Sequence, residues 1–581
     1  MSTFELWAPY AEQVDLDLGD RVLPMKQADR PGRPGWWRAE AESATGDYAF
    51  RLDAGPSRPD PRSRRQPYGV HGASRLDDPA AFGWTDADWH GRALRGSVLY
   101  ELHLGTFTPE GTFDAAIGRL DHLARLGVDF VELMPVAAFG GEHGWGYDGV
   151  GLWAVHEPYG GPEGLRRFVD ACHAHGLGVV LDVVYNHLGP SGNYLGEFGP
   201  YFTDTHVTPW GPAVNLDAAG SDEVRAFLVG NALYWLRENH LDGLRLDAVH
   251  ALVDNRALHV LEELAAAVDG LAASSGRILH LIAETDRNDP HTVTPRPVGG
   301  QGVHAQWSDD FHHALHSALT GEKQGYYCDF GALAAIEKTM TSAYFHDGVY
   351  STFRGRCHGR PVDAAVLDGD RFIVSLQTHD QVGNRAEGDR IGFALSDGLR
   401  RVGAALLLTS PFTPQLFMGE EWGAGTPWQY FTDHPEPDLA EAVRAGRRAE
   451  FAHYGWSAEA VPDPQDPATF RRSKLNWDEP AQPEHRALLD WYRALIALRR
   501  ARPDLVDPSF ASVDVSCDEE HRWILVRRGA LHVAANLSAE ARLVPLESPA
   551  REILIASDPR IQLAEQDAGI RLPPESVAVI A

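Results

Sequence analysis

The sequence predicts an α/β fold: a (β/α)8 TIM barrel with an N-terminal β-sandwich and a C-terminal antiparallel β domain. Three observations carry this. Between Gly96 and Asp504, eight β-type runs alternate with helical spacings, the pattern of a parallel barrel. The residues before it are short alternating strands punctuated by Gly, Pro and Asp, and β character returns at the end of the chain. No Gly-rich phosphate turn follows the first strand, where His103-Leu104-Gly105-Thr106 stands, and this disfavours a doubly wound sheet. A chain of 581 residues is too long for one ordinary core. We divide it at 1–92, 93–505 and 506–581.

In order, Phe4, Leu6 and Ala8 alternate, as do Val14, Leu16 and Leu18, then Tyr48, Phe50 and Leu52, which gives the sandwich. The Trp36-Trp37 pair is assigned to its core rather than to a sugar platform. A Pro- and Arg-rich segment from Gly55 to Pro67 reads as a linker. The barrel strands fall at Ser97–Leu104, Val128–Met134, Gly178–Val184, a run ending at Asp247, Ile278–Ala283, Val303–Trp307, Arg371–Leu376 and Thr413–Phe417. Helical spacing covers Phe113–Leu126, Gly164–His175, Glu223–Glu238, Ala257–Val268, Ala332–Tyr344, Gly398–Leu407 and Arg486–Arg500. The closing strands are Trp523–Arg527, Leu531–Asn536, Ile553–Ala556 and Val577–Ile580.

Composition narrows the function. Hydrophobic residues at 44% and charged residues at 23% are globular values and argue against disorder. With 82 acidic against 52 basic residues the net charge is -30, which repels nucleic acid and anionic membrane surfaces. Cys172, Cys328, Cys357 and Cys517 are scattered without a CxxC, so no disulfide framework or zinc site is indicated. The start lacks a basic region followed by an apolar run, and no stretch approaches a bilayer span. A cytoplasmic protein, monomeric or homodimeric, is the expectation.

In a barrel the active site lies at the C-terminal strand ends. Strand three ends Leu181-Asp182-Val183-Val184-Tyr185-Asn186-His187, strand four ends with Arg245 and Asp247, strand five with Glu284, and strand seven with His379 and Asp380. Residues two apart share a face, so Arg245 and Asp247 point together, and the arginine keeps the carboxylate ionised as a nucleophile requires. Glu284 follows an apolar run with no cation beside it in sequence, so burial can keep it protonated. Two carboxyls in opposed environments are what glycoside hydrolysis needs. Asp380, His187 and His379 would bind sugar hydroxyls, and Tyr147, in Gly144-Trp145-Gly146-Tyr147-Asp148-Gly149 after strand two, could stack on a pyranose. Asp182 and Asn186 could ligate a metal, but no acidic loop cluster resembles a calcium cage. No metal and no cofactor are expected.

These strand ends resemble the signatures of the α-amylase superfamily of retaining glucan enzymes. By position, that resemblance makes Asp247 the nucleophile, Glu284 the acid/base and Asp380 the transition-state stabiliser. It makes Tyr147, His187, Arg245 and His379 their partners around the attacked sugar. Within the superfamily, longer stretches resemble its maltooligosyltrehalose-hydrolysing members. Among them are Gln66-Pro67-Tyr68-Gly69-Val70-His71-Gly72, Trp307-Ser308-Asp309-Asp310-Phe311-His312-His313, Phe353-Arg354-Gly355-Arg356 and Phe417-Met418-Gly419-Glu420-Glu421-Trp422-Gly423. The resemblance implies hydrolysis, with retention, of the α-1,4 bond next to a terminal trehalose. Maltooligosyltrehalose and maltooligosaccharides would be the bound species. Where many α-amylases carry Lys-His after the nucleophile strand, this chain has His250-Ala251, which fits a pocket shaped for trehalose. His250, Asp310 and Glu421, from the loops after strands four, six and eight, are the candidates to grip the distal glucose. The rivals are a glycogen branching enzyme or amylase-type hydrolase and, from another class, a non-catalytic glucan-binding protein. The presence of all three carboxylates argues against the last.

Overall fold

The computed structural model describes residues 1–28, 30–43, 46–453, 461–546, 551–564 and 568–581. Eight parallel strands close into a barrel in sequence order. We label them β1 (Leu99–Leu102), β2 (Phe130–Leu133), β3 (Gly178–Val183), β4 (Gly243–Leu246), β5 (His280–Ala283), β6 (Ala305–Trp307), β7 (Phe372–Ser375) and β8 (Thr413–Phe417). All eight lie within the expected runs. Every residue of these strands is buried, because helices cover the outside and side chains fill the inside.

Alternation decides what each strand presents. Tyr100, Val131, Leu133, Leu181, Leu244, Leu246 and Val374 pack outward in the main core. Leu99, Phe130, Val180, Ile282, Ala305, Trp307 and Ile373 form a separate apolar floor inside the barrel. Two residues along their strands, above that floor, stand Glu101, Glu132, Asp182 and Arg245, all buried. A charged layer therefore sits between an apolar floor and the mouth.

The flanking sheets match the expected class. Ser2–Trp7 pairs with Trp36–Ala41 in one sheet, and Val14–Asp17 pairs with Asp47–Leu52 in another. Phe4 meets Tyr48 across them at 4.9 Å between ring centroids. Trp36 and Trp37 are both buried, and the Trp37 indole donates to the Ala8 carbonyl at 3.1 Å. At the other end Val513–Asp518, Trp523–Arg528, Leu531–Asn536, Ser576–Ile580 and Ile553–Ala556 form one antiparallel sheet.

Several elements differ from the sequence reading, among them a helix at Pro437–His453. The expected helix Phe113–Leu126 is two, Phe113–Ile117 and Leu120–Leu126, broken at Gly118. A helix at Asp309–Thr320 follows β6. A hairpin, Phe202–Thr208 with Gly211–Val214, rises from the loop after β3. Among the described residues no helix is long and apolar enough to cross a membrane.

Candidate active site

Arg245, on β4, has no solvent exposure and lies with its guanidinium carbon 4.2 Å from the centroid of the Trp307 ring. Its Nη1 donates to Asp247 Oδ1 and to Asp182 Oδ2, each at 2.8 Å. Asn186 Nδ2, from the loop after β3, donates to the other Asp247 oxygen at 2.8 Å. Both oxygens of Asp247 thus accept hydrogen bonds from fixed donors, which suits a carboxylate kept as a base or nucleophile.

Glu284 stands one strand away, its Oε2 3.8 Å from Arg245 Nη2 and accepting from the Ala248 N–H at 2.7 Å. Ala248 itself has a left-handed backbone with φ 40°, a conformation a residue with a Cβ holds only when its surroundings enforce it. Burial pushes the Glu284 carboxyl up to about 8, against the pull of Arg245 and with the carboxylates of Asp247 and Asp380 adding to the rise. Burial thus favours the protonated form of Glu284, beside a carboxylate both of whose oxygens accept from fixed donors.

Asp380 lies in the first turn of the short helix His379–Gly383, which Thr378 caps. Its side chain is 43% exposed and 3.5 Å from His379 Nε2, so it reaches the open mouth. His379 is fixed from beneath: its N–H and Nδ1 bond Glu101 at 3.0 and 2.5 Å, and its Nε2 meets the Tyr147 hydroxyl at 2.8 Å. Burial lowers this histidine, but the Asp380 and Glu101 carboxylates outweigh it and raise the imidazole to about 9. Tyr147 in turn donates to Asp182 at 2.7 Å. One continuous hydrogen-bonded chain thus runs Glu101–His379–Tyr147–Asp182–Arg245–Asp247.

At the rim, His187 bonds Asn186 and stacks on Trp210, at the tip of the hairpin, with centroids 4.6 Å apart and planes 6° from parallel. His250 is partly exposed, its Nδ1 4.0 Å from Asp286, and Asp286 also pairs with Arg354 at 2.8 Å. The structure brings Asp247, Glu284, Asp380, Tyr147, His187, Arg245 and His379 to one mouth, with His250 beside them. Two residues expected to hold sugar lie elsewhere. Asp310 is buried, and its Oδ2 accepts from Asn288 Nδ2 and from the Phe345 and His346 N–H groups at 2.8–2.9 Å, so it fastens the long loop after β6. Glu421 is fully buried and accepts from the Tyr100 hydroxyl and from His122 at 3.1 and 2.7 Å. Both side chains are buried and engaged in holding neighbouring elements.

Reading strand ends alone missed Glu101, whose place is inside the barrel, and Trp210, which lies on an unexpected hairpin. It also missed Asp309, which sits among the Asp380, Asp310 and Asp286 carboxylates and is pushed up to about 7, mainly by burial. The inward alternation of β1 would have found Glu101.

Comparison with known proteins gives the family. Residues 78–200 match the family model "Alpha amylase, catalytic domain", and residues 508–579 match "Domain of unknown function (DUF3459)". A malto-oligosyltrehalose trehalohydrolase of Arthrobacter ramosus is 56% identical over 540 residues, covering 92% of each chain. One of Rhizobium sp. (strain M-11) is 52% identical over 583 residues, covering 99% of this chain and 97% of its own. A crystal structure described as a putative alpha amylase from Salmonella typhimurium superposes with a TM-score of 0.89 at 40% identity, over 100% of this chain and 97% of that one. With relatives so similar over nearly the whole length, the chain belongs to the malto-oligosyltrehalose trehalohydrolase family.

Proposed function

We propose that the protein hydrolyses the α-1,4-glucosidic bond next to the terminal trehalose of maltooligosyltrehalose, with retention, releasing trehalose and a maltooligosaccharide. The observation that carries the chemistry is the pairing at β4 and β5. Asp247 accepts from donors on both oxygens, while Glu284 is held protonated at neutral pH. Asp247 attacks the anomeric carbon as Glu284 gives its proton to the departing trehalose oxygen. Glu284, now ionised, takes a proton from water, which attacks the glycosyl–Asp247 ester and regenerates the acid. Asp380, at the open mouth, hydrogen-bonds sugar hydroxyls and favours the flattened oxocarbenium-like ring. Tyr147 and the His379 imidazolium, bonded to each other, line the mouth beside it, and His187, next to the Tyr147 backbone and Asp247, is braced on Trp210. His250 is the remaining candidate from the sequence for the leaving trehalose. We also propose the division into domains at 1–92, 93–505 and 506–581, and a cytoplasmic location.

The test is product analysis on maltotriosyltrehalose and linear maltoheptaose in parallel. Trehalose formed much faster than any cut of the linear chain is the expected result. Equal cutting of the linear chain, or new α-1,6 linkages, would move the protein to an amylase or branching activity.

A further inference from the structure

The charged layer inside the barrel contains one acid that stands outside the hydrogen-bonded chain from Glu101 to Asp247. Alternation along β2 turns Phe130 and Glu132 inward, with Phe130 in the apolar floor and Glu132 above it, 1% exposed. Glu132 lies in register with Glu101 on β1 and Val180 on β3. The charged groups that face it are Glu101, Arg245, Asp182 and His379. Two carboxylates side by side in a water-poor interior do not both ionise. The charge belongs on Glu101, which accepts two hydrogen bonds from His379, whereas neither oxygen of Glu132 has a protein partner.

Other polar atoms in this layer share that property. Arg245 Nε and Nη2, Asp182 Oδ1 and both amide atoms of Gln415, on β8, are buried without protein hydrogen bonds. Buried polar groups of this kind are satisfied by ordered water, and a protonated carboxyl supplies both a donor and an acceptor to it.

We propose that Glu132 carries its proton in the working enzyme and, through bridging water, holds the free side of Arg245, and hence Asp247, in place. Glu132 is then a positioning residue for the hydrolysis, an assignment that rests on the glycosidase reading above. Burial, followed by the Glu101 carboxylate, pushes it well above the usual carboxyl range against the pull of Arg245, consistent with that geometry.

The test compares wild type, Glu132→Gln and Glu132→Leu. It measures kcat, KM and the pH profile on maltotriosyltrehalose, with isotope-edited infrared spectra at neutral pH. A protonated-carboxyl stretch present in wild type and absent from Glu132→Gln is expected. Glu132→Gln should keep kcat within about threefold and leave both pH limbs in place, because an amide reproduces a neutral acid. Glu132→Leu should lose roughly tenfold or more in kcat with little change in KM, the scale of one buried hydrogen bond. The proposal is overturned if no acid stretch disappears in Glu132→Gln, if a pH limb moves by about a unit, or if Glu132→Leu keeps the wild-type kcat. Should the leucine variant not fold, the spectrum and the Glu132→Gln profile decide. A wild-type protein that releases no trehalose would refute the functional reading and leave the spectrum to decide the proton on Glu132.

Discussion

Replacing Glu284 with glutamine separates the stability of the site from its chemistry. Burial raises the folded carboxyl to about 8, against an ordinary value of about 4.5. Between those values the native state holds a proton that the unfolded chain releases, so stability falls as pH rises through this range and levels off above it. The difference is worth about 5 kcal/mol at the alkaline end. The side chain is only 16% exposed, so solvent screening removes little of it. A glutamine has no proton to lose, and its amide oxygen can still accept from the Ala248 N–H. Spread over the unfolding entropy of a barrel of some 400 residues, this is a rise in melting temperature of about 4–6 °C near pH 8, shrinking to nothing near pH 4.5. Calorimetry of wild type and variant across that range reads it directly. In the same variant kcat should fall by about 10²–10⁴-fold. A melting difference that does not widen with pH would mean that Glu284 is not held neutral, and the acid assignment would fall.

Five further outcomes are expected. The alkaline limb of wild-type kcat/KM should lie near 8, the value to which burial raises Glu284, because the acid must be protonated to act; a limb fixed by another group would appear elsewhere and survive in residual Glu284→Gln activity. Asp247→Asn should lower kcat by about 10⁴-fold or more while oligosaccharide binding measured by calorimetry persists. Trp210→Ala removes the stacking partner of His187 and should raise KM by roughly fivefold, about 1 kcal/mol of lost aromatic contact, with the smaller change in kcat. Asp310→Ala strands three donors and should destabilise by about 2–4 kcal/mol, seen as a lower melting temperature; Glu421→Ala, which strands Tyr100 and His122, should likewise act on stability.

Parallel barrel strands are buried on both faces and so read as near-continuous apolar runs. That is why β1 to β8 stood out in the sequence, and with them the positions of Asp247, Glu284 and Asp380. The helix Asp309–Thr320 did not, because His312, His313 and His316 interrupt its apolar pattern, although His312 and His316 are buried. The hairpin that carries Trp210 is polar and rich in threonine, so its pairing left no alternation to follow. Adjacent acids were harder still. Asp309 is surrounded by the mouth carboxylates and Asp310 is buried under a loop, a difference set by helix phase that residue type does not reveal. Glu421 was assigned to the mouth because it follows a strand end, but the turn after β8 carries it to the Tyr100 side of the sheet, away from the barrel lumen.

Ala248 sets a limit on how this enzyme can vary. With φ at 40° immediately after Asp247, the position excludes β-branched side chains, for which a left-handed backbone is a severe outlier. Glycine would relax the strain and also loosen the N–H that meets Glu284. Alanine is the compromise between a backbone that resists the turn and one too free to hold it. Libraries built around the β4 loop would therefore retain function with small residues at this position and lose it with valine or isoleucine, even though no atom of that side chain need touch a sugar.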